Sequence, residues 1–226
     1  MRIDRSILPP GRIGLAVSGG SDSVALAWLL TRGGRAANRS RRFVVLHVNH
    51  GLRSESVAEY TFTENLARRL GVPFMGVHAQ VERQSGESLE MACRRVRLDF
   101  FARCMRELNL DAIATGHTMD DVAETFLLRV ARAAGPEGLA GPKATSSVGN
   151  IRFVRPLLGC RDSELQSYLC KYGETWCEDA SNGDTSIRRN FVRHKLLPYL
   201  KDNFDPKIVE HLARSAQLCA ATVRRS

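Results

Sequence analysis

A chain of 226 residues, 43% hydrophobic and 25% charged, has the length for one large α/β domain and the balance of an ordinary globular protein. No apolar run approaches the ~18 residues that span a bilayer, and residues 1–11 hold no apolar h-region, which argues against a membrane span and a signal peptide. The formal charge of +9 fits a polyanionic partner, but an arginine-rich genome accounts for it equally well, so charge alone does not choose the partner.

In chain order, an apolar strand-like run is followed three times by a helical pattern: 13–17 by 24–31, 43–48 by 57–70, and 74–81 by a long helix around 88–108. A fourth strand at 112–115 leads into a helix over 120–132. Units of ~25–35 residues predict βαβ crossovers and a doubly wound, mostly parallel sheet with helices on both faces. Gly33, Gly34 and the polar 35–42 stretch read as a surface loop, and 135–150, with Gly and Pro at close intervals, as a long loop. Beyond Asn150 the chain predicts a strand over 151–158, a short amphipathic helix over 161–172, a basic helix over 187–200 and a last helix over 206–223. The division expected is a catalytic domain over 1–200, then a C-terminal helix, or the start of a linker to further domains, over 201–226. Six scattered cysteines with no Cys-x-x-Cys pair speak against a zinc site and a redox motif, and favour a cytoplasmic setting.

Five motifs carry chemistry. Ser18-Gly19-Gly20-Ser21-Asp22-Ser23 leaves the first strand and opens the first helix. Its glycines allow close backbone approach to an anion, its Ser and Asp side chains are candidate helix caps, and free amides at the helix start hold phosphate. His47-Val48-Asn49-His50-Gly51-Leu52-Arg53 ends the second strand, where a doubly wound sheet binds ligands. On the long helix, Arg94 and Arg97 lie three apart and share a face. Gly116-His117-Thr118-Met119-Asp120-Asp121 leaves the fourth strand, and Asp120 and Glu124, four apart, are expected to converge on Mg²⁺. Last, Arg155-Pro156-Leu157-Leu158 is followed by a Glu178–Asp184 acidic stretch and by Arg188-Arg189-Asn190-Phe191-Val192-Arg193. Each motif alone has a bland reading, from a capped turn to a solvated arginine face; five in order over about 180 residues make coincidence a poor account.

The first motif resembles the Ser-Gly-Gly-x-Asp-Ser loop of the N-type ATP pyrophosphatases. The ordered set, with Gly138-Leu139-Ala140-Gly141 and Lys195-Leu196-Leu197-Pro198, is similar to the tRNA(Ile)-lysidine synthetases. Asn49 stands where that family carries Asp, Thr118 where it carries a second His, and Val122 where it carries Gln. The resemblance implies ATP and Mg²⁺ as cofactors, and as partners an isoleucine tRNA with a wobble cytidine and free L-lysine. The cytidine O2 attacks the α-phosphate, pyrophosphate leaves, and the lysine amine displaces AMP. It further implies that Ser18, Gly19, Gly20, Ser21, Asp22, Ser23, His47, Asn49, Arg94, Arg97 and His117 bind the nucleotide. Asp22 and Asp120 are the implied magnesium ligands, and Asp120, Asp121, Glu124, Arg188 and Arg193 the catalytic set. A homodimer is compatible with the sequence, which does not fix the oligomeric state. Two other readings stay open: a tRNA thiolase, against which the missing Cys-x-x-Cys weighs, and a non-catalytic RNA-binding module, which needs no ATP loop.

Overall fold

Period-two alternation decides which side of the sheet each strand residue enters. The computed structural model describes residues 3–32, 42–51, 56–178 and 184–223. The expected loop at Gly33 and Gly34, Leu52 and Arg53 of the second motif, and residues 179–183 of the fifth lie outside them. The elements are β1 (Ile13–Ala16), α1 (Ser21–Thr31), β2 (Phe43–Asn49), α2 (Ser56–Leu70), β3 (Phe74–His78), α3 (Leu89–Glu107), β4 (Ala112–Ala114), α4 (Met119–Val130) and α5 (Pro136–Leu139). They continue with β5 (Thr145–Val148), β6 (Ile151–Val154), α6 (Asp162–Lys171), α7 (Arg188–Phe191), a π-helical turn (Val192–Leu196), α8 (Leu197–Asn203) and α9 (Ile208–Val223).

The sheet order is β3-β2-β1-β4-β6-β5, parallel throughout except for β5, which runs antiparallel to β6. On one face Ile13, Leu15, Val45, Ala112 and Ala114 pack with buried residues of α1, α2 and α6, including Leu26, Leu66 and Leu165. On the other, Val44, Leu46, Ile113, Ile151 and Phe153 pack with Phe100, Phe101 and Cys104 of α3. The doubly wound architecture expected from the sequence is the one observed. The chain leaves β1 toward β2 and later returns to the opposite flank at β4, so the crevice between β1 and β4 is the switch point where ligands bind.

Several boundaries differ from expectation for local reasons. The β6 strand ends at Val154 rather than at 158, because Pro156 has no N–H to continue the ladder. The stretch 135–150, expected to be loop, contains α5 and β5. Thr145-Ser-Ser-Val148 is too polar to read as a core strand, yet as an edge strand it needs no buried face. Gly149, at φ +54°, and Asn150 close it onto β6 as a two-residue hairpin in which Val148 faces Ile151. The basic run after Ile187 is helical but widens into a π turn just before Pro198, where the Leu197 N–H reaches the Val192 carbonyl.

The last helix packs on α4 rather than on the sheet. Val209, Ala213 and Ala216 of α9 are buried against Met119, Val122 and Ala123. Val122, one of the departures from the family pattern, thus has an apolar task in that contact.

Burial in the core can be tested by urea denaturation. Leu15→Ala, at a fully buried position of the central strand, is expected to cost about 2–5 kcal/mol. Leu218→Ser, at a position 60% exposed on α9, should stay within about 0.5 kcal/mol.

Candidate active site

The first helix begins without a side-chain cap. Gly20 is its N-cap residue and makes no side-chain hydrogen bond, contrary to the expectation that Ser and Asp side chains would close this end. Ser23 instead turns back: its Oγ accepts from the Ser18 N–H (3.2 Å) and donates to the Gly20 carbonyl (2.9 Å), tightening the loop from within. First-turn amides left uncapped by side chains, at the positive end of the helix dipole, are what an anion site requires. Gly19 sits at φ +106°, a left-handed conformation that disfavours any side chain, and its carbonyl accepts from the Cys177 N–H (3.0 Å). A Cβ on Gly116 would lie 3.0 Å from the backbone of Asp22 and Ser23. Only glycine lets the loop after β4 close on the start of α1.

These loops border a cleft of about 690 Å³, within the range of sites for nucleotide-sized ligands. Ser18, Gly20, Asp22, Ser23, His47, Asn49, Arg94, Arg97, His117 and Asp121 all line it. So do residues that sequence reasoning did not single out as site residues: Arg155, Cys177, Arg189 and an apolar wall that includes Ala16, Leu46, Leu98, Phe101 and Phe153. The wall follows from the packing of α3 on that face of the sheet; the other three depend on chain segments that meet only in the fold.

The two residues of the second motif differ in what they leave free. His47 donates from Nδ1 to the Val17 carbonyl (2.8 Å), and burial above all lowers its pKa, so the ring is neutral and Nε2 has no partner. Asn49 spends its side chain internally. Its amide reaches the Ser56 carbonyl (2.9 Å) and His78 Nδ1 (3.1 Å), and its carbonyl accepts from the Gly51 N–H (2.8 Å). That side chain orders the turn after β2.

The fourth motif is a helix start in the full sense. Thr118 and Asp121 form a capping box, Asp121 accepting from the Thr118 N–H (3.0 Å) and Thr118 Oγ1 from the Asp121 N–H (3.3 Å). Thr118 therefore has a structural role at the place where the family pattern has a second His. His117 pairs with Thr115 Oγ1 (2.9 Å), and burial lowers its pKa, with Arg155, Arg189 and Arg97 adding to the effect against Asp121.

Asp120 and Glu124 do not converge, and this corrects the shared-metal expectation. Asp120 accepts from Arg161 Nε (3.1 Å) and from the Asp162 N–H (2.9 Å), while Arg161 also reaches Glu210 of α9 (2.8 Å). Asp120 thus fastens the start of α6 and does not line the cleft. Glu124 is completely buried, and its two oxygens accept from Arg189 Nε (2.9 Å) and Arg193 Nε. Helical spacing brought the two acids to one side of α4, but each was claimed by a different arginine.

The arginine pair also differs from expectation. Arg188 is exposed and does not line the cleft; Arg189 takes the place expected of it. Arg189 and Arg193 are four apart and both bond Glu124 and Asp121, with Arg189 Nη2 to Asp121 Oδ1 at 2.9 Å and Arg193 Nη2 at 3.3 Å. The motif's own register, Arg189-Asn190-x-x-Arg193, contained this signal. Although burial opposes it, the carboxylates of Glu124, Asp162 and Asp121 raise the Arg193 pKa.

Acid gathers at the loop end of the cleft. Burial first, then the charges of Asp162 and Asp121, push Asp22 up to about 7; burial and Asp120 push Asp162 up to about 6. Crowded, partly desolvated carboxyls of this kind fit a hard divalent cation at Asp22. Among the described residues no group of three or more His, Cys, Asp or Glu could hold a metal ion alone. A magnesium ion would therefore draw its other ligands from phosphate and water.

An uncapped helix start, a glycine-closed loop and a cleft at the switch point define a phosphate-binding α/β domain. Residues 3–200 match the model of the PP-loop domain, and the chain belongs to that family. It is 42% identical over 214 residues to a tRNA(Ile)-lysidine synthase of Thermus thermophilus, covering 93% of this chain and 40% of that one. It is 36% identical over 220 residues to the tRNA(Ile)-lysidine synthase of Escherichia coli O157:H7, covering 97% of this chain and 50% of that one. The chain thus spans about half or less of the length of these relatives. A U34-tRNA thiolase from Methanococcus maripaludis superposes with a TM-score of 0.75 at 16% identity, over 97% of this chain and 75% of that one, a likeness of fold alone.

Glu124→Ala would strand two arginines around a cavity. Because the Arg189 side chain is 47% exposed, the expected loss is nearer about 3 than 5 kcal/mol by chemical denaturation. Gly116→Ala should lower the melting temperature and weaken ATP binding together, since its Cβ meets backbone that cannot swing away.

Proposed function

We propose that the chain is the catalytic part of a lysidine-forming ligase, adenylating the wobble cytidine of an isoleucine tRNA with ATP and joining free L-lysine to it. One observation carries the reading. The uncapped Ser18–Ser23 loop, the acids Asp22 and Asp121, and Arg189 line one cleft, and Glu124 holds Arg189 together with Arg193. The similarity to tRNA(Ile)-lysidine synthases supports the choice of substrate over other adenylating enzymes. No helix among the described residues is long and apolar enough to cross a membrane, and all six cysteines are free thiols, which fits a cytoplasmic enzyme.

In this reading the cytidine O2 attacks the α-phosphate, the α–β bridging bond breaks, and pyrophosphate departs with its charge held by the α1 amides. Asp22 would hold Mg²⁺, which supplies charge neutralisation for the triphosphate. The lysine amine then bonds to C2, loses a proton, and AMP leaves. Asp121 is the acid of the α4 start that lines the cleft, and we assign it to orienting that amine. Glu124, with both oxygens engaged, fixes Arg189 and Arg193 so that their remaining donors face the cytidine and its phosphates. An anticodon base reaches such a cleft only when splayed from its stack.

The direct test is incubation with isoleucine tRNA, ATP and labelled lysine, followed by nucleoside analysis and a count of AMP released. AMP release that does not depend on lysine would sink the reading. Asp22→Ala should abolish pyrophosphate release while the circular dichroism spectrum stays native. Arg189→Gln should lower kcat/KM by roughly 10²-fold or more, whereas Arg188→Gln, outside the cleft, should remain near wild type. Equal effects from both would remove the Glu124–arginine unit from the mechanism.

A further inference from the structure

Asn49 stands in the place of a family aspartate, and its surroundings give the exchange a physical reason. Its amide donates to the Ser56 carbonyl (2.9 Å) and to His78 Nδ1 (3.1 Å), while Oδ1 accepts from the Gly51 N–H (2.8 Å). An ionised aspartate has no proton for either acceptor, so its oxygen would face a carbonyl oxygen and a ring lone pair. The Asn49 side chain is buried, which makes such a mismatch costly. His78 is thus tied to the turn that carries His50 and Gly51 to the cleft. It is itself exposed at the end of β3 and does not line the cleft.

A second set of contacts leads from His78 to the cleft by another route. In the β2–β3 register His47 lies opposite Gly76 and Asn49 opposite His78, all on one face of the sheet. What Gly76 supplies is room: a Cβ there would lie 2.5 Å from Tyr60 Cε2 and 2.7 Å from Phe74 Cζ. The slot admits the Tyr60 ring of α2, which stacks on His78 with centroids 4.2 Å apart and meets His47 edge-on at 5.6 Å. His47 is held in addition by Nδ1 on the Val17 carbonyl, directly before the Ser18–Ser23 loop. With the proton on Nδ1, the unpartnered Nε2 is an acceptor. An acceptor suits an N–H or O–H of a base or ribose and offers nothing to a phosphate oxygen.

We infer that Tyr60 and His78 are positioning residues for the nucleoside part of the ligand. Tyr60 holds the His47 ring and His78 holds Asn49, so the end of β2 presents a fixed acceptor and a fixed turn. The inference rests on the ATP-dependent reading above for its ligand. It divides that ligand in two: base and ribose depend on the Tyr60–His78 brace, and phosphates on the α1 amides do not. Ordinary edge packing would be served by any large apolar side chain at the two positions. The brace requires an aromatic ring at 60 and a hydrogen-bond acceptor at 78.

The experiment is isothermal titration of the 226-residue chain with ATP and, separately, with inorganic pyrophosphate. It compares wild type with Y60F, Y60L, H78N and H78L, each checked for native circular dichroism. Phe keeps the ring, and Asn places an amide oxygen near the position of His78 Nδ1. Y60F and H78N should therefore bind ATP within about threefold of wild type. Y60L and H78L should bind it about tenfold or more weakly, the scale of one hydrogen bond, with pyrophosphate affinity unchanged. Wild-type ATP affinity in either leucine variant overturns the inference. So does equal weakening for ATP and pyrophosphate, the mark of a general loosening of the cleft. So does a conservative variant as weak as its leucine counterpart. Should Y60L fail to fold, the exposed His78 and its two variants decide alone. ATP binding by a wild-type chain that shows no lysine-dependent AMP release would leave the brace standing and remove the proposed reaction. A wild-type chain that binds pyrophosphate but not ATP removes both.

Discussion

A carboxylate with no exposed surface must be paired or neutral, and Glu124 is paired twice. That one constraint joins the two parts of the molecule. Glu124 belongs to α4, which starts at the switch point of the sheet; Arg189 and Arg193 belong to the helical run that follows a long excursion through α6. Because the acid cannot be left alone, the basic run must lie across the start of α4. The apolar contacts of Val192, Leu197 and α9 then have a fixed surface on which to pack. Arg161 repeats the device a turn earlier, tying Asp120 to Glu210 and so α9 to the same helix.

The cleft that results is electrically divided. Asp22, Asp121 and Asp162 crowd the end beside the first helix, where burial and mutual repulsion raise the pKa of two of them. Arg94, Arg97 and Arg155 crowd the other wall, where burial and repulsion lower the pKa of two arginines. Each end is unfavourable alone, and each is relieved by a ligand of opposite sign. His117 lies between them as a neutral ring, its burial outweighing the pull of Asp121.

How far the sequence could be read depended on the range of the forces involved. The parallel sheet was legible because alternation and helical periodicity are local, and buried strands such as Phe43–Asn49 carry them clearly. The edge strand β5 was not, since Thr145–Val148 buries little and its pairing is set by the hairpin with β6. The anion loop was legible as Gly19 and Gly20 between a strand and a helix, but its capping was misjudged, because Ser23 spends its hydroxyl on the loop itself. The spacing of Asp120 and Glu124 placed them on one side of a helix. It could not say that Arg161 and Arg189 would reach them first.

By itself, then, the sequence determined the succession of parallel strands and covering helices from β1 to α4, the glycine loop at Ser18–Ser23, and the family to which the chain belongs. Those rest on periodicity, on glycine geometry and on motifs a few residues long. Only the tertiary structure decided that Arg189 rather than Arg188 lines the cleft, that Asp120 braces α6, and that Arg155 joins Arg94 and Arg97 along the cleft. For Arg189 and Asp120 the physical reason is the same. A charge is committed by the partner that burial brings within hydrogen-bonding distance, and those partners lie 40 to 70 residues away along the chain.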